Sequence, residues 1–268
     1  MMGLLAADLL RMRKRWMVRI VLLILLLIIG LVLVGIGHNS AEASNVDYPF
    51  GILAALVISA SLSSFLWPVI AGNWAGNEYG WGTIRLTLAR KPNRIEMVLS
   101  ALISIMLTVA VGLLLVVVLS TVIGVILNAI TPVTRPIPSD LGIVAVKTFL
   151  ADCYNGLFFV LLAYAAGTIF QSAAAGIGFG IGFGVAQTVL TGIFTALGGI
   201  WHTVADHLPE AYLTALPDRL TAPDLSTTFR AANPSEPSIM ASIVGIGIYC
   251  AVLLAVTLAV VWRRDVTA

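Results

Sequence analysis

Five long stretches without a charged side chain constrain the fold of this chain more than any other feature. No Asp, Glu, Lys or Arg occurs in residues 20–37, 48–77, 97–134, 153–205 or 237–262. An α-helix needs about 20 apolar residues to cross the hydrocarbon core of a bilayer. Since every backbone polar group in lipid needs an internal partner, and the stretches lack the period-2 alternation of a membrane barrel, they predict transmembrane helices.

Composition places the whole chain in the same class. Hydrophobic residues make up 59% and charged residues 10%, with a mean hydropathy of +1.02, whereas soluble domains average about 25% charged residues. The fourth stretch is about twice as long as one span needs, so we expect it to fold back at Gln171-Ser172. One all-α polytopic membrane domain over residues 1–268 is predicted. Its six spans are residues 17–37, 50–72, 95–128, 146–170, 174–200 and 239–262.

Basic residues orient the predicted spans. Most of the 15 Lys and Arg residues fall before the first span, between the second and third, or after the last, and such residues accumulate in cytoplasmic loops. Both termini are therefore predicted to be cytoplasmic. Because this topology explains the net charge of +2, a nucleic-acid partner is not expected.

The N-terminal residues have an amphipathic pattern. Leu5, Leu9, Met12 and Trp16 recur at helical spacing, and basic side chains interleave with them between residues 11 and 15. This pattern predicts an interfacial helix. It either anchors the first span to membrane lipid or docks a partner.

A long segment at residues 201–238 is predicted to be external. Its apolar stretch at residues 211–216 either dips back into the membrane or lies on the surface. The segment also carries four potential metal ligands, His202, Asp206, His207 and Glu210. Without an HExxH motif or a Cys pair, they do not predict a metal site, and no catalytic constellation is recognisable.

Glycines dominate the fifth predicted span. Helical geometry places them on two roughly opposite faces. One face carries Gly176, Gly180 and Gly184, and the other carries Gly178 and Gly182. We expect neighbouring helices to pack on both faces, for tight packing or for sliding during gating.

Asp152 lies near the start of the fourth predicted span. A carboxylate inside lipid marks an ion or proton path. If the fourth span starts near residue 150, however, Asp152 lies at the outer interface, which is the interpretation that we favour. A proton-coupled carrier that uses Asp152 stays as an alternative function.

The first long cytoplasmic loop, residues 73–94, contains the strongest local signals. Gly80 and Gly82 interrupt any preceding helix, Thr83 can cap a new one, and Pro92 stops it. Asn93 then caps the third span. The pattern predicts a short helix lying along the membrane.

This loop resembles a conserved segment of the type 2 ABC exporter permeases. The sequence NEYGWGTIRLTLARKPNR occupies residues 77–94. The matching residues are Glu78, Gly82, Thr83, Arg85, Arg90, Pro92 and Arg94. The order of spans, the N-terminal helix and the glycine-rich fifth span are also similar to that family. Many relatives carry a Lys where this chain has Ala101, which leaves the subfamily open.

The resemblance implies a permease subunit in the inner membrane of a prokaryote. Two copies, or one copy and a homologue, would pair with separate cytoplasmic ATPase subunits that bind ATP and Mg²⁺. The short loop helix would couple ATP hydrolysis to export of an amphipathic or lipid-like substrate, with Glu78 pairing with Arg85 or with a basic residue of the ATPase.

The sequence itself contains no G-x(4)-GK-[ST] motif, so we expect neither a cofactor nor an enzymatic activity in this chain. A membrane scaffold without transport of its own is the other alternative.

Overall fold

A computed structural model describes residues 2–38, 46–80, 93–130, 137, 139–220 and 237–263. These residues form α-helices and, within the described ranges, no strand. The helices are α1 (Met2–Lys14), α2 (Trp16–His38), α3 (Phe50–Gly80), α4 (Arg94–Ile130), α5 (Leu141–Phe170), α6 (Ala173–Leu197), α7 (Ile200–Ala205), α8 (Pro209–Leu220) and α9 (Ile239–Arg263).

Six of these helices, α2 to α6 and α9, are long and apolar enough to cross a membrane. The predicted all-α class with six candidate spans is therefore confirmed. The largest difference in bounds is at α3, which continues through Gly80, so the first eight residues of the predicted loop 73–94 are helical. Trp74 and Ala75 explain the extension, because both are buried against other helices.

Successive long helices alternate in direction, which gives the bundle two distinct ends. We call the end formed by α1, the last turn of α3 and the first turn of α4 the basic end, and the end that carries α7 and α8 the distal end. The reversal between α5 and α6 occurs at the predicted position. Gln171 adopts a left-handed conformation with φ 53°, and the Ser172 side chain accepts a hydrogen bond from Ala175 N.

Helix α5 forms the centre of the bundle. Within its most apolar window 72% of the residues are buried, against 17% for α6 and for α9. Helices α3 and α6 pack on α5 and on each other. Helices α6 and α9 therefore lie at the periphery.

Only one of the two glycine faces of α6 is packed. A Cβ atom added to Gly176 would lie 2.8 Å from the Cα of Gly72 in α3 and 2.9 Å from the carbonyl oxygen of Ala163 in α5. By contrast, a Cβ added to Gly178 or Gly182 meets no atom within 4 Å. The expected packing on both faces is thus not formed within the described part of this chain, because α6 lies at the edge of the bundle.

Candidate functional site

A buried polar cluster joins α1 to the basic end of the bundle. Asp8 of α1 is 6% exposed. Its carboxylate accepts a hydrogen bond from Ser100 Oγ of α4 at 2.7 Å and lies 3.6 Å from Arg11. Burial raises the pKa of Asp8, while the Ser100 hydrogen bond and the charge of Arg11 act in the opposite direction. The cluster therefore fixes α1 against α4.

Arg15 extends this cluster towards α3. Its guanidinium lies 4.3 Å from the centre of the Trp74 ring, a cation–π geometry. Burial lowers the pKa of Arg15, and the nearby Glu78 carboxylate partly offsets that effect. A cation held in this way at the start of α2 connects the N-terminal region to the last turns of α3.

Glu78 is the buried carboxylate of α3 at the same end. It is 9% exposed, and Asp8, Arg11 and Arg15 of the N-terminal region lie within electrostatic range of it. Arg85, one of the partners predicted for Glu78, lies outside the described residues. Glu78 is thus buried near the charged residues of the N-terminal region, and this burial leaves little of its surface for a partner protein.

Sequence reasoning missed Asp8, although a signal was present. It is the one acidic residue of α1, in a helix whose last turn carries Arg11, Arg13 and Lys14. An acidic residue in a segment that binds anionic lipid is unexpected. Such a residue points to an internal partner.

Arg94 connects α4 to α9 at the same end. Its Nη1 atom donates to the carbonyl oxygens of Val261 at 2.9 Å and Trp262 at 3.3 Å. These belong to the last turn of α9, whose carbonyls have no helical N–H partner. The N-terminus of α4 carries the predicted cap, since Glu96 N donates to Asn93 Oδ1 at 3.3 Å.

The other predicted coupling residues, Gly82, Thr83, Arg85, Arg90 and Pro92, lie outside the described residues, as does the predicted loop helix. The structure describes the two flanks of this segment. Glu78 and Gly80 precede it, and Asn93 and Arg94 follow it. The contact of Arg15 with Trp74 connects the first flank to the N-terminal region, and the hydrogen bonds of Arg94 connect the second flank to α9.

At the distal end, α8 enters the bundle. Asn155 Nδ2 of α5 donates to Leu213 O at 2.7 Å, and Gln187 Nε2 of α6 donates to Glu210 Oε2 at 2.8 Å. Gln187 precedes the end of α6 at Leu197 by about 15 Å of helix. The apolar stretch at residues 211–216 thus packs against α5 and α6 before the end of α6, and both alternatives for its position relative to the membrane stay open.

Asp152 is buried inside the described fold. Helix α5 begins at Leu141, so Asp152 lies about three turns along it. It is 0% exposed. Ser59 Oγ of α3 donates to its Oδ2 at 2.5 Å, and its Oδ1 has no hydrogen-bond partner among the described residues. Helix α5 thus starts earlier than expected, and the position of Asp152 relative to the membrane interface stays a prediction.

The potential metal ligands of the distal end do not converge. His202 Nδ1 lies 3.2 Å from Asp206 Oδ2, and His207 Nδ1 lies 2.8 Å from Thr203 O. Within the described ranges, no group of three His, Cys, Asp or Glu side chains is placed to hold a metal ion. Glu210 instead contacts Gln187 and Thr188.

The fold and its polar clusters define a multi-pass helical membrane protein with polar contacts at both ends. Residues 41–267 match the model of a family described as "Protein of unknown function (DUF2705)". Because the match covers most of the 268 residues, the chain belongs to this family. No curated protein matches the sequence. The matched region contains α3 to α9 and follows α1 and α2.

Proposed function

We propose that this protein is the permease subunit of an ATP-driven exporter of the type 2 ABC class, working with a separate cytoplasmic ATPase. The observation that carries the proposal is the mounting of residues 78–94, the segment that resembles those permeases. Glu78 on one flank is buried within electrostatic range of Asp8 and Arg11 of α1, and Arg94 on the other donates hydrogen bonds to α9. Because both flanks contact the bundle, a movement that the ATPase imposes on this segment would be passed on to the helices.

Helix α3 is the helix that would transmit this movement. It carries Glu78 in its last turn and packs along α5 and α6. Close approach of Gly72 and Gly176 leaves backbone against backbone, a contact that allows helices to shift without side chains interlocking. Movement of α3 at the basic end would therefore shift α6 relative to α5.

The remaining parts of the proposal follow from the resemblance. A second copy or a homologue completes the path, ATP and Mg²⁺ bind to the partner ATPase, and this chain catalyses no reaction. Both termini lie in the cytoplasm of a prokaryotic cell. The exported substrate is amphipathic or lipid-like.

The proposal is tested by Glu78→Gln. We expect recovery of a P-loop ATPase with the tagged protein from native membranes to fall at least about tenfold, or its ATP hydrolysis to become independent of the permease. The reason is that Glu78 loses its electrostatic attraction to Arg11 and Arg15. Immunoblotting and ATPase assays on the purified complex measure both effects.

Glu96→Gln is the matched control, since it removes the same charge at the same end while glutamine keeps the cap with Asn93. The melting temperature in detergent separates uncoupling from loss of the fold. Equal ATPase recovery and coupling in wild type and both variants would refute the proposal. A stable complex without substrate-stimulated hydrolysis would favour the scaffold alternative instead.

A proton-coupled carrier is the second candidate, favoured by the burial of Asp152 and by the Oδ1 of its carboxyl group, which has no hydrogen-bond partner among the described residues.

The Asp152→Asn substitution distinguishes the two functions. Asparagine still accepts the Ser59 hydrogen bond and removes a buried ionisable group. If the protein is a permease, we expect ATPase coupling in Asp152→Asn to stay within about twofold of that in wild type. A carrier predicts proton flux into proteoliposomes under an imposed pH gradient, visible with a pH-sensitive dye and abolished by the substitution.

A further inference from the structure

A cavity of about 600 Å³ opens in the distal half of the bundle. Its walls come from α3, α5, α6 and α8. The volume is within the roughly 300–1,000 Å³ range of small-molecule sites. The four helices therefore leave room for a small ligand between them.

Helix α8 forms one wall of this cavity, and two buried amide side chains hold it in place. Asn155 Nδ2 of α5 donates to Leu213 O at 2.7 Å, and Gln187 Nε2 of α6 donates to Glu210 Oε2 at 2.8 Å. Both amides are 3% exposed. Hydrogen bonds from two neighbouring helices therefore set the position of this wall.

The Asn155 side chain lines the cavity and lacks a donor for its oxygen. Because Nδ2 donates to Leu213 O, the orientation of the amide is set and Oδ1 is the group that remains. Oδ1 has no hydrogen-bond partner in the described part of the chain. A buried amide oxygen without a donor is costly. A ligand that donates a hydrogen bond to Oδ1 would remove that cost.

Apolar side chains form the larger part of the remaining lining. Phe159 of α5 and Leu213 of α8 are its buried members, whereas Phe65 of α3 and Val185 and Val189 of α6 are exposed. The open side of the cavity thus lies on α3 and α6, two of the helices that are long and apolar enough to cross a membrane. A ligand that enters through this side comes from lipid. We expect it to be uncharged, because a charge is costly inside hydrocarbon.

We propose that this cavity binds an uncharged molecule that has an apolar body and a hydrogen-bond donor such as a hydroxyl group. The donor bonds to Asn155 Oδ1, and the apolar body lies against Phe65, Phe159 and Val189. Binding requires this chain alone. Only the identification of the ligand as exported cargo rests on the proposed function.

The test uses two probes with the same apolar cage and similar size, 1-adamantanol and 1-fluoroadamantane, of which only the alcohol donates a hydrogen bond. Isothermal titration calorimetry on the purified full-length protein in nanodiscs measures each affinity, after correction for partition into nanodiscs without protein. We expect saturable binding of the alcohol and at least about tenfold weaker binding of the fluoride, which leaves the amide oxygen without a donor. Equal affinities would show that water serves Asn155 instead. That result, or no saturable binding of the alcohol, would overturn the proposal.

Asn155→Leu locates the site. Leucine has a similar size and no amide oxygen, so we expect the ratio of alcohol to fluoride affinity to fall to about one. Asn77→Leu, which removes an amide from α3 at the basic end, should leave the ratio unchanged.

Ala60→Phe replaces Asn155→Leu if that variant does not fold. Ala60 lines the cavity, and a phenyl ring at this position occupies the space of the ligand without removing a hydrogen bond. We expect it to abolish saturable binding of both probes. An unchanged ratio in folded Asn155→Leu, or unchanged binding in folded Ala60→Phe, contradicts the assignment.

These outcomes are independent of the ATPase. A failure of alcohol binding would leave the permease proposal standing. An absence of ATPase coupling together with saturable, donor-dependent binding of the alcohol would leave the cavity proposal standing.

Discussion

Gly176→Ala is expected to destabilise the folded protein by about 3 kcal/mol or more. The added methyl group would lie 2.8 Å from Gly72 Cα, 2.9 Å from Ala163 O and 3.0 Å from Gly167 Cα. All three atoms are backbone, so no side chain can rotate away to make room. Helices α3, α5 and α6 would have to separate. The apparent melting temperature in detergent should fall by about 5–10 °C, and unfolding followed by circular dichroism measures that change.

Gly178→Ala is the matched control, because the same methyl group on the same helix meets no described atom within 4 Å. Alanine also has a higher helix propensity than glycine, by up to about 1 kcal/mol. We therefore expect no loss of stability. Equal destabilisation by the two substitutions would contradict the packing of α6 described above. A loss confined to Gly178→Ala would show that its open face is covered by another molecule.

Trp67→Ala should destabilise the protein by about 3–5 kcal/mol. Trp67 is 1% exposed and fits between two other helices. A Cβ on Gly112 of α4 would lie 3.2 Å from its Cη2, and a Cβ on Gly156 of α5 would lie 3.4 Å from its Cδ1. Removing the indole leaves a void that these glycines cannot fill. The yield of monodisperse protein by size-exclusion chromatography and the apparent melting temperature measure the effect.

The control for this substitution is Trp262→Ala, since Trp262 is 73% exposed and its carbonyl, which accepts from Arg94, is retained. We expect little change there. Trp67→Phe should fall between wild type and Trp67→Ala because most of the ring volume remains. If the two Trp→Ala variants have the same melting temperature, Trp67 does not hold α3, α4 and α5 together.

The helix count was predictable because lipid leaves few structures for an apolar run of sufficient length. Helix ends at polar signals were also predictable, as at Gln171-Ser172 and Asn93. The continuation of α3 beyond residue 72 was not. This continuation depends on the contact of Trp74 with Arg15, a cation from another segment of the chain. No local sequence pattern encodes that contact.

The polar contacts were less predictable than the helices for a similar reason. The contact between Asp152 and Ser59 could not be predicted, because the two residues lie 93 positions apart in sequence. The hydrogen bonds of Asn155 and Gln187 to α8 could not be predicted either, because they depend on the entry of α8 into the bundle. The hydrophobic periodicity of a helix identifies its buried face, but it does not identify which other helix covers that face.

The length of α3 beyond Trp74 determines how far its C-terminal end extends past the hydrocarbon layer of the membrane. The guanidinium of Arg15 stacks on Trp74, and a charged group of this kind marks the edge of the hydrocarbon. The six residues from Ala75 to Gly80 add about 9 Å of helix, whereas the headgroup layer on each side is about 5–8 Å thick. We therefore expect Gly80 to reach the water beyond the lipid headgroups, where a soluble protein could meet the end of α3 without displacing lipid.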